Sequence, residues 1–384
     1  MLSLVPFHTA MTFAPYAWYL RNDELNLATM GLVVVLDQFN MESLFLIAGA
    51  ATWFSLGIRS GAGYFVERLK RLVVPLVFGM LVVVPPCYWV VAVHFEGYTG
   101  SFLEYYPIFW QESLLPFRDT FSAGALWFLW YLVFYTFPLL PILLLIRRKC
   151  QHNLIPWLAG FFEKRGALFL LVIPIALVEV YSTLIITRDF LVLYYPIFFI
   201  YGFFLFSEPR FQRGIEKSGP IALVGGAITM TLYMLLIFPV WYEAPLGVIY
   251  WPALEGEPGT WGFIIFRVLV SFTSWFWIIG ILYLAKRFLN FSNRFLQYGN
   301  DAALPYYILH STPIAVIGLY VVQWDMDVLP KYVINTILAF VATVVLYELI
   351  KRINVTRFLF GMRLKKKPVP EETGPVPYWR RQEE

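Results

Sequence analysis

Residues 39–75 read FNMESLFLIAGAATWFSLGIRSGAGYFVERLKRLVVP. The first half is apolar and carries the small residues Ala48, Gly49, Ala50 and Ala51, which would let a neighbouring helix approach closely. In a bilayer such approach matters, because close packing rather than hydrophobicity drives helices together. The second half turns abruptly basic. Arg59, Arg68, Lys70 and Arg71 precede Pro75, which opens the next apolar run. A cationic segment therefore sits at the seam between two membrane spans, and chemistry is expected there.

The same alternation runs through the chain. Of 384 residues, 59% are hydrophobic and only 14% charged, with a mean hydropathy of +0.66. That is far too much apolar surface for a soluble domain of this size. The expected fold is an all-α polytopic membrane helix bundle of about ten transmembrane helices. Apolar runs long enough to span cover residues 2–20, 39–56, 72–93, 125–146, 167–186, 190–206, 220–240, 262–284, 304–322 and 333–350. Residues 32–36 are apolar as well, but Asp37 and Gln38 interrupt them, which suggests an interfacial or re-entrant piece.

Counting Lys and Arg in alternate connections orients the bundle. One face receives 24 and the other 4 (Arg21, Arg118, Arg188 and Lys331), with Arg267 inside a span. Basic loops stay inside, so both termini are expected in the cytosol. Residues 1–363 form the expected membrane domain. Residues 364–384, charged and Pro-rich, should be a disordered cytosolic tail, with Lys365, Lys366 and Lys367 able to meet anionic lipid. The chain begins almost inside its first apolar run with no cleavable signal, so a start further upstream is expected.

Several function classes are unsupported. Cys87 and Cys150 would lie near opposite membrane faces, which excludes a bridge between them or a thiolate metal cage, and no metal site is expected. No Walker loop, dinucleotide fingerprint, zinc-protease pair or serine-hydrolase elbow is present, and nothing points to nucleic acid. The outer loops, 94–124 and 241–261, are rich in aromatic rings with Glu96, Glu104, Glu112, Glu243, Glu255 and Glu257. They read either as an interface belt or as a platform for sugar rings.

Ionisable residues within spans are functional candidates, because their desolvation must be compensated. His8, in VPFHTAMTF, could act as a general base near neutral pH, or could be a packing histidine. On a helix starting at Leu2 it would lie about 9 Å from the cytosolic end. His310, in LPYYILHST, can share a face with Tyr306 and Tyr307, as a structural cluster or as part of a site. Arg68 and Arg71 project to one side of a helix end and form a cationic fork suited to phosphate, or serve simply as positive-inside anchors. Glu179 and Arg267 could be an ion pair or unrelated neighbours lining a cavity. His94 and His152 read as solvated bystanders.

In order and spacing, VPFHTAMTF, SLFLIAGAATWF, YFVERLKRLVVPL, ALWFLWYLVFY and LPYYILHSTPI resemble the integral-membrane acyltransferase-3 family, in its branch similar to the glucan succinyltransferases. The resemblance runs to about Gly361. It implies an inner-membrane, multi-pass acyltransferase (transferring groups other than aminoacyl groups). Such an enzyme takes acetyl or succinyl from a cytosolic acyl-CoA and delivers it to a hydroxyl of a glycan or polysaccharide. Acyl-CoA would be a co-substrate, with no bound cofactor. His8 matches the family's essential histidine and Arg68 and Arg71 match its RxxR motif at the donor side. Trp127 and Phe128 match its WFL signature, and Tyr307 to His310 its late YxxH pattern.

Two departures stand out. The arginine usually found some ten residues before the first histidine has no counterpart here. Ile47-Ala48-Gly49 replaces the usual Phe-Ser-Gly, and Ala125 stands where histidine is common. In the implied mechanism His8 is the base and Arg68 and Arg71 anchor the donor. Oxyanion stabilisation stays open between His310, Tyr307 and an upstream arginine, and no Ser or Cys nucleophile with an adjacent base is evident. The rival reading is a secondary transporter or flippase in which His8, Glu179, Arg267 and His310 form a charged path. The topology is tested by reporter fusions after Arg59 and after Tyr98, which are expected on opposite faces; the same face for both would refute the second and third spans.

Overall fold

The computed structural model describes residues 2–16, 18–113, 123–185, 190–243 and 260–365. Arg118, Arg188, Glu255, Glu257 and the tail beyond residue 365 lie outside the described residues. All regular structure described is helical.

The first element is much shorter than the apolar run that contains it. The helix expected over 2–20 is α1 (Leu4–Thr12) alone. Pro15 has no N–H to donate and steers the preceding residue away from helical geometry. The chain then turns back on itself, with the Asn22 amide donating to the Thr12 carbonyl at 2.8 Å and the Asn26 amide to the Phe13 carbonyl at 3.0 Å. At 1.5 Å per residue α1 reaches about 14 Å, half the apolar thickness of a bilayer. Next, α2 (Leu27–Asp37) starts on an Asn26 cap and takes in the interrupted piece at 32–36. It leads across a break at Gln38 and Phe39 into α3 (Asn40–Ile58).

Among the described residues, six apolar elements are long enough to cross a membrane: Leu27–Ile58, Gly61–Phe95, Gly124–Cys150, Pro209–Ile237, Trp261–Phe288 and Val328–Ile350. A seventh is a pair, α14 (Arg294–Leu309) and α15 (Ser311–Val321), bent by 54°. The protein is thus an all-α polytopic membrane bundle with six or seven long apolar helices. Among the described residues, the expected ten are not reached by length. The first run is a half-length helix, and the fifth and sixth are the shorter apolar helices Ala167–Tyr181 and Val192–Leu205.

The breaks have sequence causes. Gly61–Phe95 comprises α4 (Gly61–Arg68), a π-turn at Leu69–Val73, α5 (Val74–Val82) and α6 (Pro85–Phe95), whose prolines occupy its first turn. The bend between α14 and α15 precedes Pro313, which cannot donate to the Leu309 carbonyl. After α7 (Phe102–Ser113), a 3-10 turn at Gly124–Leu126 starts α8 (Trp127–Cys150). Then come α9 (Leu154–Phe162), α10 (Val172–Ile185), α11 (Phe190–Leu205), α12 (Pro209–Glu243) and α13 (Trp261–Phe288). The chain closes with α16 (Val328–Ile350) and α17 (Asn354–Leu359). We call the face with Arg59, Lys70, Arg71, Arg147 and Lys351 the basic face.

The small residues of α3 do what their spacing suggests. A Cβ on Gly49 would overlap the Phe199 carbonyl of α11, and one on Gly202 would overlap the Leu46 carbonyl of α3. The two helices therefore touch backbone to backbone, and Trp53 sets its edge against Phe203 at 5.0 Å beside them. Glu179 on α10 and Arg267 on α13 form an ion pair at 3.2 Å, with Glu179 buried. Because a backbone cannot swing aside as a side chain can, Gly202→Val should cost at least the ~1–3 kcal/mol typical of overpacking. A detergent melting midpoint unchanged from wild type would refute the contact.

Candidate active site

The half-length α1 carries His8 into contact with the bend between α14 and α15. The His8 and His310 rings stack with centroids 5.0 Å apart. On its other side His8 stacks almost parallel to Trp18, at 4.4 Å and 11°. The chain reversal after Thr12 is what returns Trp18 to this position. Both histidines are buried, His310 almost completely.

Hydrogen bonding orients His310. Its Nδ1 lies 2.6 Å from the Tyr307 carbonyl, and because a carbonyl only accepts, Nδ1 is the protonated nitrogen. Nε2 is then a buried lone pair, and no described group bonds to it. His8 Nδ1 faces the Met11 sulfur at 3.3 Å, a weak partner, and a neutral imidazole keeps one ring nitrogen as an acceptor in either tautomer. Two proton-accepting nitrogens thus share one buried junction.

The start of α8 closes this junction. Tyr307 donates its hydroxyl to the Ala125 carbonyl at 2.7 Å, and the Ala125 amide donates to the Tyr19 hydroxyl at 2.8 Å. Tyr307 has therefore committed its proton, whereas Tyr19 accepts here and keeps its own. Phe128 sets its ring edge against Tyr307 at 5.4 Å. Trp127 instead packs on Tyr195 and Tyr131, and no described ring contact brings it to either histidine. Thr312 ties the bend to the α5–α6 break by donating to the Val83 carbonyl at 2.7 Å.

The arginines lie elsewhere. A cavity of about 410 Å³ opens at the basic face, and Arg59, Glu67, Lys70, Arg71 and Arg363 are among the residues that line it. Arg71 donates from Nε to the Gly361 carbonyl at 3.3 Å and from Nη1 to Glu67 at 3.5 Å. Arg68 is not in the lining: its guanidinium lies 4.9 Å over the Tyr64 ring. The π-turn begins immediately after Arg68, so the two arginines of the expected fork have different surroundings.

The position of His8 relative to the arginines differs from the expected one, which put it about 9 Å from the end that carries them. The end of α1 is tied to Asn22, whose side chain accepts from Lys331 at 3.4 Å. Lys331 is in the first turn of α16, whose far end reaches Lys351 on the basic face, about 30 Å away by helical rise. His8 is one turn from Thr12 and so stands toward the face opposite the arginines. On that opposite face a second cavity, about 670 Å³, is lined by Asp23, Glu24, Asn26 and Asp327.

These features define a multi-pass membrane protein with a buried histidine junction and separate basic and acidic mouths. The chain belongs to the acyltransferase-3 family: the model described as an acyltransferase domain matches residues 1–348. It is similar to the glucans biosynthesis protein C of Salmonella paratyphi B, at 20% identity over 387 residues, covering 97% of this chain and 94% of that protein. Proteins of the same name from Salmonella schwarzengrund and Salmonella agona match equally well. No solved structure matches the chain. Among the described residues no three His, Cys, Asp or Glu side chains group to hold a metal ion.

Trp18 and Tyr19 were not expected at the site, because a continuous helix over 2–20 would have carried them onward instead of folding them back. Arg363 was likewise counted only as a tail charge. Pro15 was the available signal for the first two. Tyr307→Phe leaves the buried Ala125 carbonyl without its donor and should cost about 1–3 kcal/mol. An undiminished thermal midpoint would show that this bond does not hold the start of α8.

Proposed function

We propose that this protein is an inner-membrane O-acyltransferase that moves acetyl or succinyl from a cytosolic acyl-CoA to a hydroxyl of a glycan or polysaccharide on the other side. The observation that carries the reading is the His8–His310 stack in a chain of an acyltransferase family. Membership of that family also weighs against a transporter. In this reading the basic face is cytosolic, both termini lie in the cytosol, and Arg68 and Arg71 serve the donor.

His8 takes the acceptor's hydroxyl proton as the oxygen attacks the thioester carbon. The carbonyl π-electrons move to oxygen, the tetrahedral adduct collapses with loss of the C–S bond, and the imidazolium returns its proton to the departing thiolate. No acyl-enzyme is needed. The oxyanion requires a donor. Tyr307 and His310 have committed their protons to carbonyls, so Tyr19 is the better-placed candidate. The acceptor comes from the acidic mouth, whose carboxylates suit hydroxyl donors.

A second reading assigns the base to His310, because its Nε2 is an oriented, buried and unpartnered lone pair. His8→Ala and His310→Ala separate the two. We expect His8→Ala to insert and melt normally and keep donor binding but lose transfer by at least about 100-fold, the typical contribution of a general base. Full activity in His8→Ala with none in His310→Ala would move the base to His310. Full activity in both would end the mechanism.

A further inference from the structure

The family match ends at residue 348, yet the wall of the basic cavity facing the π-turn is built from residues beyond it. Phe358, Gly361, Met362, Arg363 and Leu364 line that side. They belong to a hook that begins with α17 and is knit to itself. Arg357 donates from Nε to the Arg363 carbonyl at 2.7 Å, and the Met362 amide to the Arg357 carbonyl at 2.8 Å.

Two contacts fix the hook against the bundle. Phe360, buried, sets its ring edge against Phe78 of α5 at 5.3 Å. Gly361 has φ +67, which favours glycine. A Cβ there would also stand 2.8 Å from the Arg71 carbonyl oxygen and 2.9 Å from Pro75. Glycine thus lets the hook close directly over Arg71, bringing Arg363 to the cavity.

The lining brings four cations, Arg59, Lys70, Arg71 and Arg363, to one carboxylate, Glu67. Glu67 binds Arg59 and Arg71 together, occupying the position an anion would take between them. Neither Lys70 nor Arg363 has a described carboxylate partner. A concave, cation-rich space of this volume suits a phosphorylated ligand of nucleotide size: small-molecule sites run from about 300 to 1,000 Å³, and arginine forks match phosphate oxygens. Simple positive-inside anchoring needs neither a cavity nor a folded wall.

We propose that this cavity holds the nucleotide phosphates of the acyl donor, that Arg363 of the hook is a phosphate ligand alongside Arg71, and that Glu67 is a place-holder which the phosphate displaces. This rests on the acyl-CoA reading above and adds residues to it. By helical rise the cavity lies about 18 Å from the Val83 level where Thr312 anchors the histidine bend, the span the donor's arm would have to cover.

Binding of adenosine 3′,5′-bisphosphate to the full chain in detergent tests the proposal, with acyl transfer measured separately. Wild type should bind with an affinity that falls as salt rises. Arg363→Gln should weaken binding about tenfold, and Arg363→Lys should recover much of it. Glu67→Gln should bind several-fold more tightly, a gain that misfolding cannot produce. Unaltered affinity in both Arg363→Gln and Glu67→Gln would overturn the site even if transfer persists. If the bisphosphate binds through Arg363 but no acyl-CoA supports transfer, the cavity stands and the acyltransferase reading falls. If the bisphosphate does not bind while phosphatidylglycerol nanodiscs stabilise wild type more than Arg363→Gln, the cavity is a lipid-headgroup site and the proposal is refuted.

Discussion

Backbone N–H and C=O groups inside a bilayer have no water to turn to, so every interrupted helix must find other partners for the ends it exposes. This chain interrupts its helices repeatedly near one level. The breaks fall after Thr12, at Val83 and Val84, at the 3-10 start of α8 and at the bend before Ser311. Side chains from the same neighbourhood repair them. Thr312 donates to Val83, Tyr307 donates to Ala125, Tyr19 accepts from Ala125 and His310 donates to Tyr307. The histidine stack sits within this repair network, and its geometry depends on it. A polar site at membrane depth is tolerable here because broken helices supply its partners.

The all-α membrane class was legible in the sequence because length and hydropathy report it, but the count of ten spans was not, since hydropathy does not show that the first run folds back after Thr12. The close approach of α3 and α11 was legible in part. Ala48, Gly49, Ala50 and Ala51 signalled a small-residue face, but nothing in the string paired Gly49 with Phe199 or Gly202 with Leu46. The Glu179–Arg267 pair was one of two open possibilities until the tertiary fold placed the partners together. What escaped were the consequences of single residues that redirect a chain. Pro15 ends α1 early, and Gly361 folds the hook back on Arg71. A hydropathy count weighs each of these as one residue among many, while the backbone responds to them locally and completely.

The two arginines of the RxxR motif illustrate a different limit. Spacing of three places them on one helical face, but that inference assumes an α-helix through both. The π-turn at Leu69–Val73 adds a residue to the turn directly after Arg68. Arg71 lines the cavity while Arg68 packs over Tyr64. Arg68 still contributes positive charge nearby, but its immediate partner is an aromatic ring, which in turn bonds Thr52 of α3 at 2.9 Å. The motif therefore reaches the cavity through Arg71 and the α3 helix through Arg68 and Tyr64.

If the proposed acyl transfer takes place at the histidines, their placement toward the acidic mouth decides which substrate must travel. Had His8 stood near the basic face, a donor could react almost where it binds, and the acceptor would have to cross most of the membrane. Here the larger distance separates His8 from the arginines. A glycan is bulky, polar and strongly hydrated, and moving it through the apolar core would strip many hydroxyls of their hydrogen bonds at a cost of several kcal/mol in total. An acyl group on a slender, flexible arm presents far less polar surface. On the proposed function the geometry favours threading the acyl group outward to a stationary acceptor over drawing the acceptor inward, and the short α1, whose end is tied to Asn22 one turn beyond His8, sets that division of distance.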